Sequence, residues 1–147
     1  MNAPLIEITD APDPQDVQSI RTGLNEFNAI ASGIDDQRPL AVLVRDPVTR
    51  EVVGGLTGRT SRGLFFLDVF FLPEAMRGAG IGSAVLKMAE EEGWRRGCRS
   101  AVLHTNTFQA PAFYRRHGWR ELGSIPSGPP GNSRIFFTKE LSAADAG

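Results

Sequence analysis

The chain is 147 residues long and 41% hydrophobic, and its sixteen basic and seventeen acidic side chains leave a net charge of −1. That length suits one core and is short for two, and so even a charge supplies no field to gather nucleic acid or an acidic membrane surface. Cys98 is the single cysteine, so no internal disulfide forms; no cysteine and histidine cluster has metal-ligand spacing, and no apolar run reaches membrane-spanning length. The start, MNAPLIEITDAPDPQD, carries acids and prolines where a signal peptide needs basic and apolar stretches. These features predict a single soluble, cytoplasmic domain over residues 1–147, without a metal, nucleic-acid or membrane partner, with 142–147 as a frayed tail.

In chain order, Leu5 to Thr9 alternates apolar and polar residues and predicts a short strand before Pro12 and Pro14. From Asp16, residues Val17, Ile20, Leu24, Phe27 and Ile30 recur at three- and four-residue spacing, a helix ended by Gly33. Leu40 to Val44, the turn at Asp46-Pro47, and Glu51 to Thr60 form a hairpin. Leu64 to Leu72, apolar except at Asp68, is the most buried strand expected. After Pro73 and a glycine-rich turn, Ile81, Ala84, Val85, Met88 and Ala89 define a helix face running to about Arg96, capped by Gly97. Glu90, Glu91 and Glu92 with Arg95 and Arg96 fit a solvated face of that helix. Ser100 to Leu103 is a strand, Gln109 to His117 a short helix, Trp119 to Leu122 an extended piece, and Arg134 to Leu141 the last strand. Gly123 to Ser133, with its prolines and glycines, is a loop.

A strand leading through Arg77-Gly78-Ala79-Gly80-Ile81-Gly82 into a helix gathers backbone N–H groups and the positive end of the helix dipole around one point, which suits a phosphate. Arg77 and the Ser83 hydroxyl add donors. A Walker loop requires Gly-Lys-Ser/Thr, and Gly82 is followed directly by Ser83; a dinucleotide fingerprint requires Gly-x-Gly-x-x-Gly, and here glycines fall at every second position. A structural turn without a ligand stays open on spacing alone.

The same residues resemble the GNAT superfamily of N-acetyltransferases, whose signature is Arg/Gln-x-x-Gly-x-Gly/Ala. Phe71-Leu72-Pro73-Glu74 before the turn and Gly118-Trp119 after it are also similar, and the resemblance runs from about Leu40 to Leu141. It implies an α/β (α+β) fold: a mixed, mostly antiparallel sheet of about six to seven strands, splayed between two central parallel strands, Leu64–Leu72 and Ser100–His104, and flanked by about four helices. It implies an acetyl-CoA-dependent transfer of acetyl to an amine by direct attack on the thioester. Residues 77 to 82, among them Ala79 and Ile81, would bind the cofactor pyrophosphate. Phe70, Phe71 and Leu72 would pair with the pantetheine arm like an added strand. Homodimers are common in the family, so a homodimer is an expectation here too.

Ala110-Pro111-Ala112-Phe113-Tyr114 resembles the family's Ala-x-x-Phe-Tyr element, in which the tyrosine protonates the departing thiolate; Ala110 and Phe113 would contact the cofactor beside it. On spacing alone Tyr114 is equally a core aromatic. The family's asparagine three residues before that alanine is replaced by Thr107, with Asn106 one residue early, so either of the two contacts the cofactor. For the base that deprotonates the amine, Asp68 is the one acid in an apolar strand, His104 is the alternative, and water a third. His117, Cys98 and Trp94 read as structural. Two other functions fit the turn: a non-catalytic acyl-CoA-binding module, and a transferase using another acyl donor.

Overall fold

The computed structural model describes residues 2–143, so the last four residues of the expected tail lie outside the described residues. The chain divides into two units, at Asp35/Asp36. In the first, α1 (Pro14–Ser32) starts where Asp13 accepts the Gln15 N–H at 2.8 Å, with Pro14 in the first turn, and stops at Gly33 in the left-handed region. Its apolar stripe is present as expected and stays exposed, Leu24 at 58% and Ile30 at 87%. The predicted strand at Leu5–Thr9 does not form: residues 2–9 have no regular structure, since alternation alone supplies no neighbouring strand to satisfy the backbone.

The second unit is a six-stranded sheet in the order β1-β2-β3-β4-β6-β5. Its strands are β1 (Arg38–Arg45), β2 (Val52–Ser61), β3 (Leu64–Phe71), β4 (Ser100–Asn106), β5 (Arg120–Ser127) and β6 (Asn132–Glu140). All neighbours are antiparallel except β3 and β4. That parallel pair needs a crossover, supplied by α2 (Ile81–Arg95); α3 (Pro111–Arg116) follows β4. The architecture is the expected mixed α/β one; the described residues form six strands and, against the four or so helices expected, three α-helices plus one 3-10 turn, Glu74–Met76.

The core lies between the sheet and α2. Phe65 on β3, Leu56 on β2, Phe137 on β6 and Leu86 on α2 are fully buried. Gly93 lets the helix sit close, because a Cβ there would lie 3.5 Å from the Phe65 Cβ and 3.3 Å from Leu141 Cδ1. Glu90 departs from the solvated reading: it is 4% exposed, accepts the Trp119 indole N–H at 3.0 Å and pairs with Lys139 at 2.9 Å. It shares the buried side of α2 with Leu86, one turn earlier. The expected surface pairs Glu91–Arg95 and Glu92–Arg96 do form, at 3.6 and 2.8 Å.

The glycine and proline stretch is also not the long loop predicted. β5 continues to Ser127, and only residues 128–131 turn before β6. As an edge strand exposed along nearly its whole length, β5 carries no apolar period and tolerates Pro126, with a register shift beside Gly123.

Two irregularities interrupt the middle of the sheet. β3 pairs with β4 only over Leu64–Phe66, after which the strands part. On its other side β3 pairs with β2 as far as Phe71, but Thr57 faces Val69 and Gly58 faces Leu67, which leaves Asp68 as the extra residue of a bulge. Among the described residues no helix is long and apolar enough to cross a membrane, and no acids, histidines and cysteine gather as a metal site.

Candidate active site

Where β3 and β4 part, a cleft of about 650 Å³ opens, bounded by the end of β3, the glycine-rich turn, the start of α2 and α3. Its size is that of a small-molecule site. Phe70, Phe71 and Leu72 line one side, and Arg77, Gly78, Gly80, Gly82 and Ser83 close one end. The edge of β3 beyond Phe66 has no strand beside it, so its outward N–H and C=O groups are open to an extended ligand.

The turn works through its backbone. Gly78 and Gly80 have φ of +84° and +81°, a region L-residues seldom enter, and Gly80 caps α2 without a side chain. Arg77 Nε donates to the Leu72 carbonyl at 3.0 Å and so ties the turn back to β3. The Met76 and Arg77 N–H groups donate within the preceding turn and the Ala84 N–H to Gly80, but those of residues 78 to 83 have no acceptor among the described residues. Six consecutive donors without acceptors, across the turn and the first turn of α2, suit an anion. Gly82 contributes by its small size, since a Cβ there would meet Phe113 Cε1 at 3.3 Å and Leu72 Cδ1 at 3.5 Å; without one, the turn closes on those side chains.

α3 brings Ala110, Phe113 and Tyr114 to the same cleft. Tyr114 is 8% exposed and packs against Phe113, Trp119 and Phe137, and burial pushes its phenol from 10 up to about 12. Its hydroxyl has no hydrogen-bond partner among the described residues. Core aromatic and cleft-lining phenol are thus one residue.

The remaining candidates separate. Neither Asn106 nor Thr107 lines the cleft. The Thr107 hydroxyl donates to Asn132 Oδ1 at 2.9 Å and accepts the Ser133 N–H at 3.2 Å, which joins the end of β4 to β6. Gln109, not singled out by the sequence pattern, lines the cleft instead. Its Oε1 accepts from the Thr105 hydroxyl at 2.9 Å and the Asn106 N–H at 2.7 Å, an arrangement that fixes the amide and turns Nε2 away from those donors. Ala79 and Ile81 belong to the turn but not to the cleft wall, and Asp68 and His104 lie off it. Asp68 is exposed on its bulge; His104 stacks on Phe136, on the sheet face opposite Thr105. His117, expected only to end a helix, lines the cleft beside Arg116.

Known proteins define the class. An acetyltransferase (GNAT) domain model matches residues 37–121. The acetyltransferase Atu2258 of Agrobacterium fabrum is 36% identical over 134 residues, 91% of this chain and 97% of its own length. The blasticidin-S acetyltransferase of Streptomyces morookaense is 38% identical over 92 residues, 62% of this chain and 68% of its own. A crystal structure of an Agrobacterium tumefaciens protein described as an acetyltransferase superposes with a TM-score of 0.84 at 36% identity, covering 95% of this chain and 99% of the other. The chain belongs to the GNAT acetyltransferase family. It is an N-acetyltransferase, moving an acetyl group to an amine, and enzymes of this family draw that group from acetyl-CoA.

Proposed function

We infer that this enzyme binds acetyl-CoA along the cleft and transfers its acetyl group directly to the amine of a small polar molecule, without an acyl-enzyme intermediate. The run of unpaired N–H groups from 78 to 83 carries this reading, because a pyrophosphate supplies acceptors for such a cradle. The open edge of β3 supports it: the pantetheine amides pair there as a strand would, and the thioester is drawn toward the gap between β3 and β4. Gln109 Nε2 takes the contact that Asn106 or Thr107 was expected to make, since Thr107 is engaged with Asn132 and Ser133 and Asn106 with Gln109 Oε1.

In the reaction the amine lone pair attacks the thioester carbon, the C–S bond breaks, and the sulfur leaves with the electron pair. Tyr114 donates to that sulfur. Its raised pKa keeps the phenol protonated throughout the physiological range, and burial makes its hydrogen bond to a developing thiolate strong. The amine arrives from the opposite sheet face through the splay, where Asp68, His104 or water takes its proton. A small polar acceptor is favoured because the blasticidin-S enzyme is a relative. The buried, unpaired Cys98 suits a cytoplasmic location.

The test is turnover with acetyl-CoA across a panel of amines, for wild type and Tyr114→Phe. The expected result is CoA release with at least one polar amine and a loss of kcat, with donor KM little changed, in the variant. Tight acetyl-CoA binding with no turnover on any amine overturns the enzymatic reading in favour of a binding module. Faster turnover with a longer acyl-CoA overturns the donor assignment.

A further inference from the structure

The end of the cleft holds an interaction that no part of the proposed chemistry uses. Ser83, in the first turn of α2, and His117, just past α3, are 34 residues apart, yet Ser83 Oγ lies 2.8 Å from His117 Nε2. The other ring nitrogen, Nδ1, lies 2.8 Å from the Phe113 carbonyl oxygen. A carbonyl only accepts, so Nδ1 carries a proton, and in the neutral ring Nε2 is then an acceptor that takes the Ser83 O–H. The ring is held against Phe113, with centroids 4.5 Å apart. Both groups line the cleft next to the N–H cradle.

We propose that Ser83 and His117 form a proton-coupled latch on the donor's pyrophosphate, so that binding the donor takes up a proton on His117. This rests on the donor assignment above. A phosphoryl oxygen arriving at the cradle competes for the Ser83 O–H. Once that hydrogen turns to the phosphate, Ser83 Oγ presents lone pairs to the bare Nε2, and two acceptors face each other at hydrogen-bond distance. A solvent proton on Nε2 resolves this: the imidazolium donates Nδ1–H to Phe113 and Nε2–H to Ser83 Oγ, and places a positive charge beside the anion. No covalent bond between heavy atoms changes.

The cleft wall carries cationic side chains and no anionic one. From the turn, Arg77 lines the same cleft; from α3, so does Arg116, and no carboxylate belongs to that wall. Lys87, one turn along α2 from Ser83, pairs with Glu91, and Arg115 pairs with Glu121. Tyr114 is neutral. A donor phosphate is therefore the anion that this wall lacks. His117 is a positioning residue: it acts on the donor through the orientation of Ser83.

The probe is dephospho-CoA, whose pyrophosphate diester has no group of its own titrating near neutrality. Calorimetric titration at about pH 7.5 in buffers of differing ionisation enthalpy counts the protons exchanged. The expected result is net proton uptake on binding in wild type, and little or none in His117→Gln or Ser83→Ala with melting temperatures preserved. Correspondingly, the KM for acetyl-CoA rises with pH in wild type, by at most about tenfold per pH unit, and this rise flattens in His117→Gln while the pH profile of kcat is shared. Wild-type binding without proton uptake, or equal uptake in His117→Gln, overturns the latch and leaves the donor site standing. A folded protein that binds neither dephospho-CoA nor acetyl-CoA overturns the donor assignment itself.

Discussion

Tyr114 is the single tyrosine of the chain, so its ionisation is read directly from the near-ultraviolet absorbance of the phenolate. Burial among Phe113, Trp119 and Phe137 raises its pKa from 10 to about 12. Because the folded-state value is the higher, its contribution to stability is intact below pH 10, where both states hold the proton, and is lost as pH rises toward 12, where only the unfolded state has released it. At about 1.4 kcal/mol per pH unit the loss amounts to roughly 3 kcal/mol. Absorbance recorded by rapid mixing, before alkaline unfolding, should place the phenolate midpoint well above 10; urea denaturation across the same range should show a decline in stability that Tyr114→Phe reduces. A midpoint near 10 in the folded protein refutes the burial argument, and with it the claim that burial strengthens the hydrogen bond of the phenol to the leaving sulfur. A donor bound along the cleft as proposed would cover the ring further and should raise the midpoint.

Other consequences rest on single contacts. Glu90→Ala removes the carboxylate shared by Trp119 and Lys139 and should cost about 3 kcal/mol in urea denaturation, whereas Glu90→Gln, which still accepts the indole N–H, should cost less. Gly80→Ala meets no neighbouring atom, so its cost arises only from a φ of +81°, about 1 to 2 kcal/mol; its larger effect should be a raised acetyl-CoA KM as the N–H cradle is distorted. Gly58→Ala is a different case, because a Cβ there would lie 2.1 Å from the Phe66 carbonyl oxygen, and little folded protein should be recovered. Cys98 is 1% exposed and burial raises its thiol pKa, so a thiol reagent should label it only at the rate of unfolding.

How far the fold is legible in the sequence depends on physical range. Elements defined by dense local patterns appear where expected: α2 ends at Arg95 against a predicted Arg96, and β3 ends at Phe71 against a predicted Leu72. The glycine-rich turn is legible because it imposes local demands, a left-handed backbone at Gly78 and Gly80 and free N–H groups beyond them. Long-range features are not. Glu90 looks like its neighbours Glu91 and Glu92, although its four-residue spacing from Leu86 places it on the buried stripe; distant partners, Trp119 and Lys139 of β6, make that burial tolerable. β5 is hidden because an exposed edge strand has no apolar period to show. Gln109 and His117 escape notice for a related reason: each acquires its role from a partner or an orientation that residue spacing does not encode, Thr105 and Asn106 for one and Ser83 for the other.

If donor and acceptor bind as proposed, the placement of charge around the splay lets one sheet handle two reactants with opposite needs. A phosphate-bearing donor requires positive, donor-rich walls, and its cleft has Arg77, Arg116 and free N–H groups but no carboxylate. An ammonium acceptor requires a proton acceptor, which those walls would repel or neutralise. Asp68 and His104 lie off that cleft, Asp68 on the bulge and His104 on the opposite face, close to where the strand pairing stops after Phe66. On the function proposed above, the bulge and the splay act together: one displaces an acid from the regular alternation of β3, and the other would open the gap through which an amine meets the thioester. A bulkier side chain at Thr105, on the cleft side of β4, would both narrow the gap and release Gln109 from the hydroxyl that fixes its amide, so transfer should be suppressed and the donor KM raised together.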